Sequence, residues 1–91
     1  MKLILSLLIY DRLVFDGKEH ISIASLAPDR PVITFNGLSK SHLMAGYRIG
    51  WMSISGDKSN IEDYIAGINL LSSMRLCSNV PGQSIIPMAI D

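Results

Sequence analysis

Short apolar runs separated by turn-forming clusters organise this chain. Leu3 to Tyr10 is almost continuously apolar, the pattern of a strand covered on both faces by helices. Asp16-Gly17 marks a turn, and Ala27-Pro28-Asp29-Arg30-Pro31 marks a stronger one. Between them, Ile21 to Leu26 reads as a short helix or an irregular connection. Val32-Ile33-Thr34-Phe35 is β-branched and aromatic, a second strand by propensity, ended by Asn36-Gly37. Tyr47 to Ser55 predicts a third strand. Its alternation sets Arg48, Gly50, Met52 and Ile54 on one face and Tyr47, Ile49, Trp51 and Ser53 on the other, with Gly56 as the stop.

The rest of the chain is helical in period. Ser59-Asn60-Ile61-Glu62 fits a capping box, in which serine and glutamate satisfy each other's backbone amides. Ile61, Tyr64, Ile65, Ile68, Leu71 and Met74 then follow a 3.6-residue repeat. Asn79-Val80-Pro81 opens a last helix with proline in the permitted first turn, and Pro87 predicts a break near Ile86. Strands interleaved with helices define an α/β fragment. There is no repeat, low-complexity stretch or linker, so residues 1–91 read as one incomplete domain without internal boundary.

Composition changes the picture in one respect. Of 91 residues, 48% are hydrophobic and 18% charged. A domain this small buries only about 60–65% of its unfolded surface. The chain therefore reads as an inner piece of a larger α/β protein, with leftover apolar surface that predicts self-association. Eight basic and eight acidic residues are scattered and cancel, leaving no basic stripe for nucleic acid. The single Cys77 has no internal disulfide partner, which fits a reducing cytoplasm, and it reads as a buried structural thiol. Met1-Lys2 and the apolar run behind it look like a leader. That run is far below the ~20 residues of a membrane span and lacks a small-residue cleavage site, so a strand is the better reading.

The candidate chemistry lies in Asn36-Gly37-Leu38-Ser39-Lys40 and in Gly46-Tyr47-Arg48-Ile49-Gly50-Trp51. A lysine forms an imine only as the neutral amine, so burial, nearby positive charge or the imine itself has to favour that form. Arg48 offers a planar fork for a phosphate dianion. Ser39 adds a hydroxyl, and Gly37 lets backbone approach a ligand. The pattern differs from a phosphate-binding P-loop, which needs Gly-x-x-x-x-Gly-Lys-Ser/Thr. His42, two residues beyond Lys40, reads as structural or solvent-facing; His20 reads as exposed, and Trp51 and Phe35 as core.

Thr34 to Lys40 together with Ala45 to Trp51 resembles the signature of class I and II aminotransferases of fold type I. Ile9-Tyr10-Asp11 is similar to that family's Asp-Glu-Ile-Tyr-Asp, and Met74 to Pro81 resembles the branch that includes alanine aminotransferases. The resemblance implies a partial three-layer fragment of the large, cofactor-binding domain. It implies pyridoxal 5'-phosphate as cofactor, no metal, amino acid and 2-oxo acid as substrates, and a homodimeric parent. By position, Lys40 would carry the cofactor as an internal aldimine and shuttle the proton. Arg48 would contact the phosphate and Tyr10 would donate to the phenolic oxygen, and Ser39 counts with them as a cofactor-binding residue. Two departures stand out: Leu7 and Leu8 occupy the family's aspartate and glutamate positions, and Gly37 stands where some branches carry serine.

The aspartate pairs with the protonated ring nitrogen, so Leu7 removes a charged partner of the electron sink. The glycine-rich phosphate turn, the ring-stacking aromatic residue and the asparagine near the phenolic oxygen belong upstream in the family. The arginine for the substrate carboxylate belongs downstream. The expectation is a fragment of an aminotransferase with an alanine-like substrate, inactive in isolation. The alternatives are a catalytically silent fragment and another fold-type-I enzyme such as a C–S lyase.

Overall fold

All three β-propensity runs pair. In the computed structural model, which describes residues 2–91, they form β1 (Ile4–Leu7), β2 (Val32–Gly37) and β3 (Gly50–Ser55), in the order β1-β2-β3. Met1, the first residue of the leader-like stretch, lies outside the described residues. A short helix α1 (Ile23–Leu26) joins β1 to β2, and α2 (Glu62–Ser73) and α3 (Val80–Ile90) follow β3. Strand β1 runs parallel to β2, with Ile4 opposite Val32 and Leu7 opposite Phe35. Strand β3 is antiparallel, with Gly37 opposite Gly50. One edge of the sheet therefore gathers the C-terminal ends of β1 and β2 and the N-terminal end of β3.

The core is small and centred on β2. Val32, Ile33, Leu38, Ile49 and Ile61 are its buried apolar side chains. Across the strands, Ser6, Thr34 and Ser53 form a row of hydroxyls on one face.

Several local expectations change. The β1 strand is shorter than Leu3–Tyr10, and Leu5 and Leu7 are exposed. As an edge strand it pairs with β2 alone. Beyond Leu8 the chain turns, with Asp11 N bonded to Leu8 O and Leu13 N to Tyr10 O, both at 3.0 Å. The β3 strand starts at Gly50 because Ala45–Tyr47 form a 3₁₀ turn and Arg48 adopts a left-handed conformation (φ 53°, ψ 51°). The strict alternation predicted for residues 47–55 is lost there.

The capping box does not form. Asp57 Oδ1 accepts from both the Ser59 amide (3.0 Å) and the Ser59 hydroxyl (2.7 Å), so that hydroxyl is already engaged. Helix α2 begins after Ile61 with no side-chain cap. These two bonds, the amide first, hold the exposed Asp57 carboxyl below its ordinary value of 3.8. On α2, Ile65 and Ile68 are half-buried while Tyr64 and Leu71 are exposed, as is Met74 just past its end. Pro87 does not end α3, which continues to Ile90. Proline removes a single amide donor, which costs the helix one bond without ending it, and the turn beyond it is met from elsewhere in the fold by His42 at Ala89 O and Arg12 at Ile90 O. Cys77 is exposed, not buried, because it lies in the connection between α2 and α3. Trp51 is half-buried and Phe35 partly exposed, so neither is fully core.

Candidate functional site

The four predicted site residues leave the sheet at this one edge. Tyr10 sits in the turn after β1, Ser39 and Lys40 follow β2, and Arg48 precedes β3. Two buried side chains root the segment from Lys40 to Arg48: Leu38 (0% exposed) enters it and Ile49 (6%) leaves it. Apolar anchoring at both roots fixes where the loop starts and ends while Lys40 and Arg48 stay exposed.

Inside the loop, His42 N and Met44 N both reach Leu38 O, at 3.3 and 3.2 Å. Tyr47 N bonds Met44 O at 3.1 Å and Arg48 N bonds Ala45 O at 3.2 Å. The Arg48 guanidinium donates through Nη1 to Ala45 O at 2.7 Å. That bond uses one of its five donors and leaves the others for an anion. Ser39 is half-buried. Tyr10 is 59% exposed, and its turn is tied to β2 by Asn36 Nδ2 donating to Asp11 Oδ2 at 2.8 Å.

Gly37 is also required by the packing of the strands. A Cβ there would stand 2.8 Å from Ile49 O and 3.3 Å from Gly50 Cα. The missing side chain lets β2 and β3 close together at the site edge. A shallow hollow of about 340 Å³, lined by Phe35, Asn36, Gly50, Trp51 and Met52, opens beside it. A larger open trough of about 850 Å³ lies between the end of α2 and the start of α3 and contains none of the four predicted residues.

The donor set suits an anion that also carries a reactive carbonyl: an amine, a guanidinium, a serine hydroxyl and a phenol. It fits the phosphate, aldehyde and phenolic ends of pyridoxal 5'-phosphate. Opposite Phe35 at this edge, Leu7 is 72% exposed and supplies no charge for the ring nitrogen. The carboxylate of Asp11, the acidic residue in the adjacent turn, is held by Asn36.

Two polar residues beyond the predicted set hold the loop. Asn79 donates from Nδ2 to Tyr47 O at 2.7 Å, and its position before Val80-Pro81 announces a helix cap but not this second bond. His42 bridges Ser41 Oγ and Ala89 O, both at 2.7 Å; the residues around it carry no local signal of that contact.

The parallel-strand edge, the lysine after β2 and the arginine before β3 define a class, and the class I and II aminotransferase family model matches residues 3–88. The chain belongs to that family. It is 52% identical to alanine aminotransferase of Mycobacterium tuberculosis over 82 residues, which is 90% of this chain and 19% of that protein. It is 54% identical to glutamate-pyruvate aminotransferase AlaA of Escherichia coli over the same length, 20% of that protein. Among solved structures, an aminotransferase from Escherichia coli superposes with a TM-score of 0.94 at 50% identity, covering 98% of this chain and 22% of that one. Alanine aminotransferase from Pyrococcus furiosus gives 0.79 at 40% identity, covering 87% and 20%. The chain thus spans about a fifth of the length of these relatives.

Proposed function

We propose that this chain carries the lysine-bearing part of a pyridoxal-phosphate-dependent aminotransferase that moves an amino group between an alanine-like amino acid and a 2-oxo acid. The observation that carries this reading is that Tyr10, Ser39, Lys40 and Arg48 all lie in the chain segments that leave or enter the strands at one edge of the sheet. The names of the two bacterial relatives support the small-substrate assignment. When bound, pyridoxal 5'-phosphate supplies an aldehyde that takes up the amino group and a ring that draws electron density from the substrate α-carbon. Lys40 would hold the aldehyde end of the cofactor, and its neutral amine would move the substrate α-proton. Arg48 would hold the phosphate, the Tyr10 hydroxyl would donate to the phenolic oxygen, and Ser39 would add a hydroxyl to the cofactor site.

Leu7 favours a second reading, that the 91 residues bind the cofactor without turning over substrate, because the ring nitrogen has no carboxylate partner at that place. Exposed apolar side chains such as Leu5, Leu7 and Phe15 fit burial against further protein, in a homodimer or by self-association. The unpaired Cys77 fits the cytoplasm.

Titrating the chain with pyridoxal 5'-phosphate tests the assignment. A visible absorbance band of lysine-bound cofactor is expected, and it should disappear in Lys40→Ala. A band of equal strength in that variant would remove Lys40 from the site. Assays for transamination and for pyruvate release then separate a transferase, a lyase and a silent binder.

A further inference from the structure

Helix α3 touches the Lys40–Arg48 loop at both of its ends. At its start, the Asn79 carboxamide works in two directions: Oδ1 accepts from Gly82 N at 3.1 Å, capping the helix, and Nδ2 donates to Tyr47 O at 2.7 Å. At its finish, the His42 ring reaches Ala89 O at 2.7 Å across 47 residues of sequence. Between these points, buried Gly82 lies against Ile49, the root of the loop. The two attachments stand ten residues apart on the helix, about 15 Å along its axis.

The chemistry of each attachment is defined. Ala89 O can only accept, so His42 Nε2 carries the hydrogen. In the neutral ring Nδ1 is then an acceptor, and the Ser41 hydroxyl at 2.7 Å donates to it in preference to Gly37 O at 3.4 Å.

The backbone beside each attachment is strained. Leu43, directly after His42, has φ 54°, and Arg48, directly after Tyr47, has φ 53°. A left-handed residue other than glycine costs about 1–2 kcal/mol and persists only where its surroundings impose it. Each strained residue thus follows immediately on one held from α3.

We propose that α3 is a strut that fixes the shape of the loop carrying Lys40 and Arg48, with His42 and Asn79 as positioning residues. Its bearing on catalysis rests on the cofactor reading above; its bearing on the loop does not.

Amide hydrogen exchange of the full chain by NMR separates a strut from a helix cap. Asn79→Asp keeps the capping oxygen and loses the donor to Tyr47 O. It should accelerate exchange of the Tyr47 and Arg48 amides about tenfold or more while the Gln83 amide changes by less than about twofold. His42→Phe should likewise free the Met44 amide, and His42→Gln, which keeps a donor for Ala89 O, should restore most of the protection. Unchanged loop exchange in Asn79→Asp and His42→Phe would overturn the strut, as would equal acceleration through loop, α3 and sheet. If wild-type chain binds no cofactor but shows this exchange pattern, the cofactor reading fails and the strut stands.

Discussion

Leu38 and Ile49 explain how a loop with an exposed lysine and an exposed arginine keeps its place: both are buried in the core at its roots. The motif made Lys40, Ser39, Arg48 and Tyr10 legible, because their types and spacing carry the family resemblance. The left-handed turn at Arg48 was not legible, since arginine has no intrinsic preference for it. Ser59 shows how a local rival wins. Asp57 sits two residues before it and captures both its amide and its hydroxyl, so the capping partner of Glu62 is lost. Because those bonds depress the Asp57 pKa below 3.8, the stability they add is present above that value and is lost as pH falls through the lower folded pKa. Ser59→Ala should raise the Asp57 pKa part of the way back in an NMR titration, since the amide bond remains. A carboxyl that titrates unchanged in the variant would contradict the role given to the hydroxyl.

At the level of elements, the strands and helices were legible from periodicity and β-branched content, and their ends were not. The apolar run of β1 predicts a strand buried on both faces. Which faces of a strand are covered depends on neighbours that no local window contains, and here Leu5 and Leu7 face outward. Pro87 predicts a break near Ile86, yet α3 runs to Ile90, with His42 at Ala89 O and Arg12 at Ile90 O. Those contacts come from 47 and 78 residues away in sequence, outside any local window. The turn after β3 was legible as Gly56 and is more demanding than its turn propensity suggests. Its φ is +79°, and a Cβ would run into the Arg30 carbonyl oxygen. Gly56→Ala should cost at least about 2 kcal/mol in urea unfolding, combining left-handed strain with displacement of the Pro28–Pro31 turn. A loss below a few tenths of a kcal/mol would show that the turn yields freely.

On the scale of the molecule, a slab 37 × 36 × 17 Å leaves many large apolar side chains exposed, among them Leu7, Phe15, Leu71 and Met74. Composition foretold that surplus. Sedimentation of the chain should show concentration-dependent association, weakened by replacing Leu5 and Leu7 with polar residues; a monomer at every concentration would contradict it. The relatives are about five times longer, so these residues correspond to a small part of the surface those proteins present. The chain's own contribution is a lysine and an arginine presented from one sheet edge. Borohydride reduction of the chain with pyridoxal 5'-phosphate, followed by peptide mapping, tests that claim most directly. The label should fall on Lys40, whereas an even spread over Lys2, Lys18, Lys40 and Lys58 would contradict it.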